Sequence, residues 1–103
     1  MGLFSGKKGL VLGVANDWSI AWAISDYILK EGGEIGFTHL PDRPDDEQQK
    51  NRRRVEKCIN GKDGAKFLVP LDVQNDEQIK EVMKITQDNF GKIDFLLHSI
   101  AYA

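Results

Sequence analysis

The sequence predicts an α/β domain in which helices cover a parallel sheet, and three observations lead there. Short apolar runs of strand length alternate with longer segments whose apolar residues recur every three or four positions. Glycine, proline and asparagine fall at the junctions between the two kinds of segment. The order is strand, helix, strand, helix, strand, helix, strand with no internal repeat or low-complexity linker, which builds a sheet through right-handed crossovers.

Taken in order, residues 9–14 (GLVLGV) form a short apolar run closed by Gly13, the form of a buried parallel strand. A helix follows, with Ile20, Ile24, Tyr27 and Ile28 at helical spacing, and Gly32-Gly33 stops it. Residues 34–40 (EIGFTHL) read as the second strand, and Pro41, Asp42 and Pro44 punctuate its exit. A charged helix is expected over about 45–59, ending at Asn60-Gly61, a natural left-handed cap. Residues 65–73 (AKFLVPLDV) are the third strand, which Pro70 assigns to an edge or a bulge. Asn75 caps the next helix with Gln78 in the capping-box position; Ile79, Val82, Met83 and Phe90 supply its apolar face, and Gly91 ends it. Residues 93–99 (IDFLLHS) are the fourth strand. This is the first half of a three-layer, Rossmann-type sheet with strand order 3-2-1-4, and the chain stops just after crossing the switch point where such sheets bind ligands.

The bulk properties narrow the function. The chain has 103 residues, enough for one domain, and a chain of this size buries about 65% of its unfolded surface. With 41% hydrophobic residues, 29% charged residues and a net charge of -2, it has the composition of a soluble globular protein without a general attraction to nucleic acid or anionic lipid. A single cysteine, Cys58, makes no internal disulfide, and the N-terminus lacks the apolar core of a signal peptide, so a reducing, cytoplasmic setting is expected. No stretch has the length and apolarity of a membrane span.

The junction between the first strand and first helix, GVANDWSIAWAI, carries the chemistry. A phosphate loop needs small residues, so that backbone N–H groups reach the anion, and a helix N-terminus aimed at the charge. The usual G-x-G-x-x-G is missing. One glycine, Gly13, permits the turn; Ala15 and Ala21 keep the neighbourhood small; and the Ser19 hydroxyl suits a phosphate oxygen. A plain strand-to-helix turn capped by Asp17 or Ser19 fits the same residues, and the two readings are compatible.

Three blocks, GVANDWSIAW at 13–22, LDV at 71–73 and HSIA at 98–101, together with the opening MGLFSGKK, resemble the enoyl-acyl-carrier-protein reductases, the divergent branch of the short-chain dehydrogenases. The likeness covers nearly all of the chain but only the first two-fifths or so of a typical member. It implies reduction of a trans-2-enoyl thioester on acyl carrier protein by hydride from NADH, with an enolate held by a tyrosine hydroxyl. It further implies that Gly13, Ser19 and Ile20 meet the pyrophosphate and adjoining ribose, that Asp72 and Val73 flank the adenine, and that Ser99, Ile100 and Ala101 run beside the nicotinamide ribose. The family's catalytic tyrosine and lysine would lie beyond position 103, so the piece alone is expected to be inactive and part of a longer, homotetrameric enzyme. A non-catalytic nucleotide-binding module ending naturally at Ala103 is the rival reading.

Other features are read as structural. An acidic residue at the end of the second strand would mark NAD. Here that strand ends Thr38-His39-Leu40, with Asp42 and Arg43 beyond, so these residues do not decide between the cofactors; the resemblance implies NADH, and NADPH is not excluded. Tyr27 and Lys30 match a Tyr-x-x-x-Lys spacing, but at ~1.5 Å per residue Tyr27 lies roughly 12 Å along the helix from Ser19, too far to take part. The basic run at 50–54 interleaves with Asp45, Asp46, Glu47 and Glu56 as a solvated helix face rather than a nucleic-acid surface. Trp18 and Trp22 are packing residues, and His39 and His98 lack partners at metal-ligand spacing.

Overall fold

β1 (Lys8–Leu12) lies inside a parallel sheet ordered β3-β2-β1-β4, with β2 (Glu34–His39) on one side, β4 (Phe95–His98) on the other and β3 (Ala65–Pro70) outermost beyond β2. The structure is a computed structural model and describes residues 2–14 and 19–99. α1 (Ile20–Lys30), α2 (Lys50–Ile59) and α3 (Asp76–Phe90) connect the strands in turn. The expected class and strand order are therefore observed, and Pro70 sits on the outer strand, where its missing N–H breaks no inner ladder.

Alternation along the strands makes the layers. Val11, Ile35 and Phe37 are fully buried on the face covered by α1 and α2, together with Ala21, Ile28 and Val55. Leu10, Leu71 and Val82 form a second core under α3, with Phe67 and Val69 against it. Burying each of the large side chains contributes about 1.5–3 kcal/mol. Two glycines let aromatic rings cross the strands. Gly9 is paired with Phe95 and Gly36 with Phe67, and in each case an added Cβ would fall inside the partner's ring. Phe95 then meets Phe4 edge-on at 6.2 Å, while Phe67 packs on Phe90 at 5.7 Å, so each ring ties a sheet face to the elements over it.

Three details differ from the sequence expectation. First, the face that α1 buries is Ala21, Ser25 and Ile28, whereas Ile20, Ile24 and Tyr27 stand in solvent. The small side chains let the helix lie close to the sheet; Ser25 is fully buried because its hydroxyl donates to the Ala21 carbonyl at 2.6 Å. In α3 the same shift buries Val82, Thr86 and Phe90 and leaves Met83 exposed. Second, α2 begins at Lys50 rather than near 45. Asp46 draws the N–H groups of Gln48, Gln49 and Lys50 around its own carboxylate, and Gln49 takes a left-handed φ of 51°, so the preceding residues form turns instead of helix. Third, the strands are shorter than their apolar runs, and Leu71 to Val73 leave the ladder after a last bond from the Leu71 N–H to the His39 carbonyl at 2.9 Å.

The helix ends follow the sequence more closely. The Gly33 N–H bonds to the Ile28 carbonyl at 2.9 Å with Gly32 at φ 90°, and Gly61 and Gly91 also take positive φ past their helices. Trp22 packs on Phe37 at 6.2 Å, as expected of a packing residue. Tyr27 is on the outer side of α1 against Phe4, and Lys30 pairs with Asp26 at 2.9 Å. Trp18 lies outside the described residues.

Gly36→Ala should lower the unfolding free energy by about 1–3 kcal/mol in urea titration, because the Phe67 ring must move. Adding Phe67→Leu should recover part of the loss, and an unchanged midpoint in the single variant would contradict this packing. A second expectation concerns pH. The hydrogen bond from Lys30, aided by Lys62 at 3.4 Å, holds the Asp26 carboxyl below its ordinary value of 3.8 against the opposing effect of burial. A lowered folded-state pKa stabilises the fold above the unfolded value and is lost as pH falls through the folded one. Asp26→Asn should therefore cost up to about 1 kcal/mol at pH 7, with the difference from wild type closing below the ordinary carboxyl range. A deficit that persists at pH 2 would point to lost packing rather than lost charge.

Candidate functional site

Because the four strands are parallel, their carboxyl ends meet at one edge, and each delivers a turn there. After β1 comes Gly13, whose φ of 107° lies in the region open to glycine and strained for other residues. Ser19 then caps α1: its Oγ accepts the Trp22 N–H at 3.1 Å and its carbonyl takes that of Ala23. The cap leaves the N–H groups of Ile20 and Ala21 without helix partners at the positive end of α1, and the first turn holds no acidic side chain. Residues 15–18, between the two, lie outside the described residues.

The turn after β3 is held more tightly. Asp72 gives its N–H to Gln78 Oε1 at 2.7 Å, receives the Asn75 N–H on its carbonyl at 2.8 Å, and takes the Gln74 N–H on Oδ1 at 2.9 Å. Asn75 caps α3 as expected, accepting from Glu77 and Gln78. The return half of the expected capping box is absent, since the Gln78 side chain bonds Asp72 and not Asn75. Among the described residues Asp72 Oδ2 and the Val73 N–H have no partner, so adjacent residues at the strand end carry an unused acceptor and an unused donor. Ser99 follows β4 and donates its N–H to the Leu12 carbonyl at 2.9 Å, which sets it beside the start of the Gly13 turn. Ile100 and Ala101 lie outside the described residues.

Between the ends of β2 and β3 is a cleft of about 540 Å³, lined by His39, Asp42, Arg43, Arg52, Pro70 and Gln78 among others. The Asp42 carboxylate accepts the N–H groups of Asn51 at 2.7 Å and Arg52 at 3.3 Å and so caps α2 from a distance. Asp46 is similarly occupied, and the Lys50, Gln48 and Gln49 N–H groups hold its carboxyl below the ordinary value. Arg52 reaches Glu56 at 2.7 Å and the Leu68 carbonyl at 3.4 Å, whereas Arg43 is exposed with no partner among the described residues. His39 is buried, with Nδ1 2.8 Å from the Leu40 carbonyl and Nε2 unpartnered. A larger hollow of about 670 Å³ runs along α2, lined by Lys50, Arg53, Arg54 and Lys57 among others. Among the described residues no cluster of three or more His, Cys, Asp or Glu could hold a metal, and no helix is long and apolar enough to cross a membrane.

A glycine turn, a capped helix N-terminus and the Asp72-Val73 turn share one parallel edge of a Rossmann-type α/β sheet. The family model of the enoyl-(acyl carrier protein) reductases matches residues 13–103, and the chain belongs to that family. It is 39% identical to an enoyl-(acyl-carrier-protein) reductase (NADH) of Aquifex aeolicus over 103 residues, all of this chain and 35% of the relative. The enoyl-(acyl-carrier-protein) reductase of Anaplasma phagocytophilum, solved in complex with NAD, superposes with a TM-score of 0.82 at 34% identity, covering 99% of this chain and 36% of that one. That of Bacillus cereus, solved with NADP+ and an indole naphthyridinone, gives 0.83 at 34% identity, covering 100% and 38%. The chain thus spans little more than a third of the length of these relatives.

Gln78 and Asp42 escaped the sequence reading as site-shaping residues. The capping-box spacing marked Gln78 without revealing its partner, and no local pattern marks a carboxylate that caps a helix nine residues away. Ser19→Ala should cost about 1 kcal/mol of stability through the lost cap, and Ser19→Asp, a good cap, should cost under ~0.5 kcal/mol in the same unfolding measurement. Equal stability of the alanine variant and wild type would remove Ser19 from the cap.

Proposed function

We propose that this chain is the N-terminal part of a single NAD(P)-binding domain, and that the protein it belongs to is an enoyl-acyl-carrier-protein reductase moving hydride from NADH to the β-carbon of a trans-2-enoyl thioester. The observation that carries the proposal is the convergence of the Gly13 turn, the α1 N-terminus and the Asp72-Val73 turn on one sheet edge. Family membership and the NADH-using and NAD-bound relatives support it.

In this reading the pyrophosphate lies over Gly13, Ser19 and Ile20, where the helix dipole and the Ile20 and Ala21 N–H groups, which have no helix partners, offset its charge. Adenine presents a donor amine beside an acceptor ring nitrogen, which complements Asp72 Oδ2 and the Val73 N–H, and Ser99, Ile100 and Ala101 run along the nicotinamide ribose. When bound, nicotinamide supplies the hydride; the residues of this chain hold and orient it. The tyrosine and lysine of the chemical step are assigned to the protein beyond residue 103. Acyl carrier protein is its thioester-bearing partner, the assembly is a homotetramer, and the setting is the cytoplasm.

The choice of NADH rests on the likeness to the NADH-using and NAD-bound relatives, because the exposure of Arg43 and the engagement of Asp42 in the α2 cap leave no strong discrimination at the ribose. The full-length protein should consume NADH with an enoyl-acyl-carrier-protein substrate; absence of turnover with either cofactor would sink the reading. Ser19→Asp should bind NADH at least tenfold more weakly than wild type, since its charge faces phosphate in a capped, stable helix. Arg43→Ala should leave the NADH affinity unchanged. A wild-type preference for NADPH that collapses in Arg43→Ala, by roughly the 1.5–3 kcal/mol of a charge-assisted bond, would assign the cofactor to NADPH instead.

A further inference from the structure

We infer that Gln78 is a positioning residue for the adenine end of the cofactor, acting through Asp72; this rests on the proposed nucleotide reading of the Asp72-Val73 turn. The side chain does not serve its own helix. A capping box would use Gln78 to accept the Asn75 N–H, but that N–H bonds the Asp72 carbonyl at 2.8 Å, and Gln78 Oε1 takes the Asp72 N–H at 2.7 Å instead. Asp72 is consequently pinned at N–H, carbonyl and Oδ1 by Gln78, Asn75 and Gln74, in that order.

The consequence is directional. With three of its groups engaged, Asp72 keeps only Oδ2 unengaged, the next residue keeps the Val73 N–H, and neither has a partner among the described residues. Gln78 is the tie that comes from α3 rather than from the turn itself, so it registers the turn against the helix as well as closing it. It also lines the cleft between β2 and β3, half-buried, where water competes little with the bond. Removing the acceptor leaves the Asp72 N–H unpaired and lets the peptide rotate, which misaligns both the carboxylate and the adjoining N–H toward a flat aminopurine edge. The pyrophosphate and nicotinamide contacts, on other strands, are untouched.

The test uses the full-length protein and compares Gln78→Leu, similar in size without an acceptor, with Gln78→Glu, whose carboxylate still accepts. Gln78→Leu should raise the KM for NADH and the Kd for ADP-ribose about tenfold, with kcat unchanged. Turnover of reduced nicotinamide mononucleotide, which lacks the adenosine, should match wild type, and Gln78→Glu should return ADP-ribose binding to within about threefold. Wild-type ADP-ribose affinity in Gln78→Leu overturns the inference, as does an equal loss with the mononucleotide, which would mark a general loss of structure. If wild type itself binds neither NADH nor ADP-ribose, the proposed nucleotide function fails, whatever Gln78 does.

Discussion

The position of β1 between two parallel partners is the constraint on which the rest depends. Val11 is fully enclosed, with Phe37 opposite it on β2 and Leu97 on β4, so neither face nor edge of the strand meets water. Parallel pairing on both sides obliges every connection to cross over the sheet, which places α1 and α2 on one face and α3 on the other. It also brings the carboxyl ends of all four described strands to one edge. The glycines at 9 and 36 serve the same end, because they admit Phe95 and Phe67 across the strands and let each face close over a ring.

What happens at that edge is a matter of where backbone donors and carboxylates are spent. At α1 the cap is a neutral hydroxyl, so the helix keeps its positive end and two unused N–H groups for an incoming anion. At α2 the corresponding need is met by two aspartates, Asp42 and Asp46, whose carboxylates are engaged by backbone N–H groups, while the Arg43 side chain on the same cleft has no partner among the described residues. At α3 an asparagine caps, and a glutamine is released to lock the Asp72 turn. Three helix starts are thus solved with three kinds of side chain, and the difference in their charge makes one edge electrostatically uneven.

Much of this was legible in the chain. Strand and helix alternation, the glycine stops, the Asn75 cap and the outer placement of β3 all follow from local patterns, because each depends on residues within one turn or strand. The buried faces of α1 and α3 were only partly legible from apolar spacing, which named Ile28, Val82 and Phe90 but not Ala21, Ser25 and Thr86. Of the expected α1 stripe only Ile28 is buried; Ile20, Ile24 and Tyr27 give way to Ala21 and Ser25, because close packing on the sheet favours small side chains and a buried serine satisfies itself on its own helix. The start of α2 was misjudged for a related reason: charged residues of good helix propensity at 45–49 lost to the carboxylate of Asp46, which offers the backbone a competing set of bonds. Of the site, the Gly13 and Ser19 positions could be read from the loop, whereas the Asp72-Gln78 bond spans a strand end and a helix and has no signature beyond the capping-box spacing.

A crystal structure of the full-length protein with NADH bears most directly on the account, because the whole of it comes down to where a dinucleotide lies on this edge. The expected density has the pyrophosphate over the N–H groups of Ile20 and Ala21, and the adenine amine on Asp72 Oδ2 with the neighbouring ring nitrogen accepting from Val73. A cofactor bound at the opposite edge of the sheet, or along α2, would contradict it.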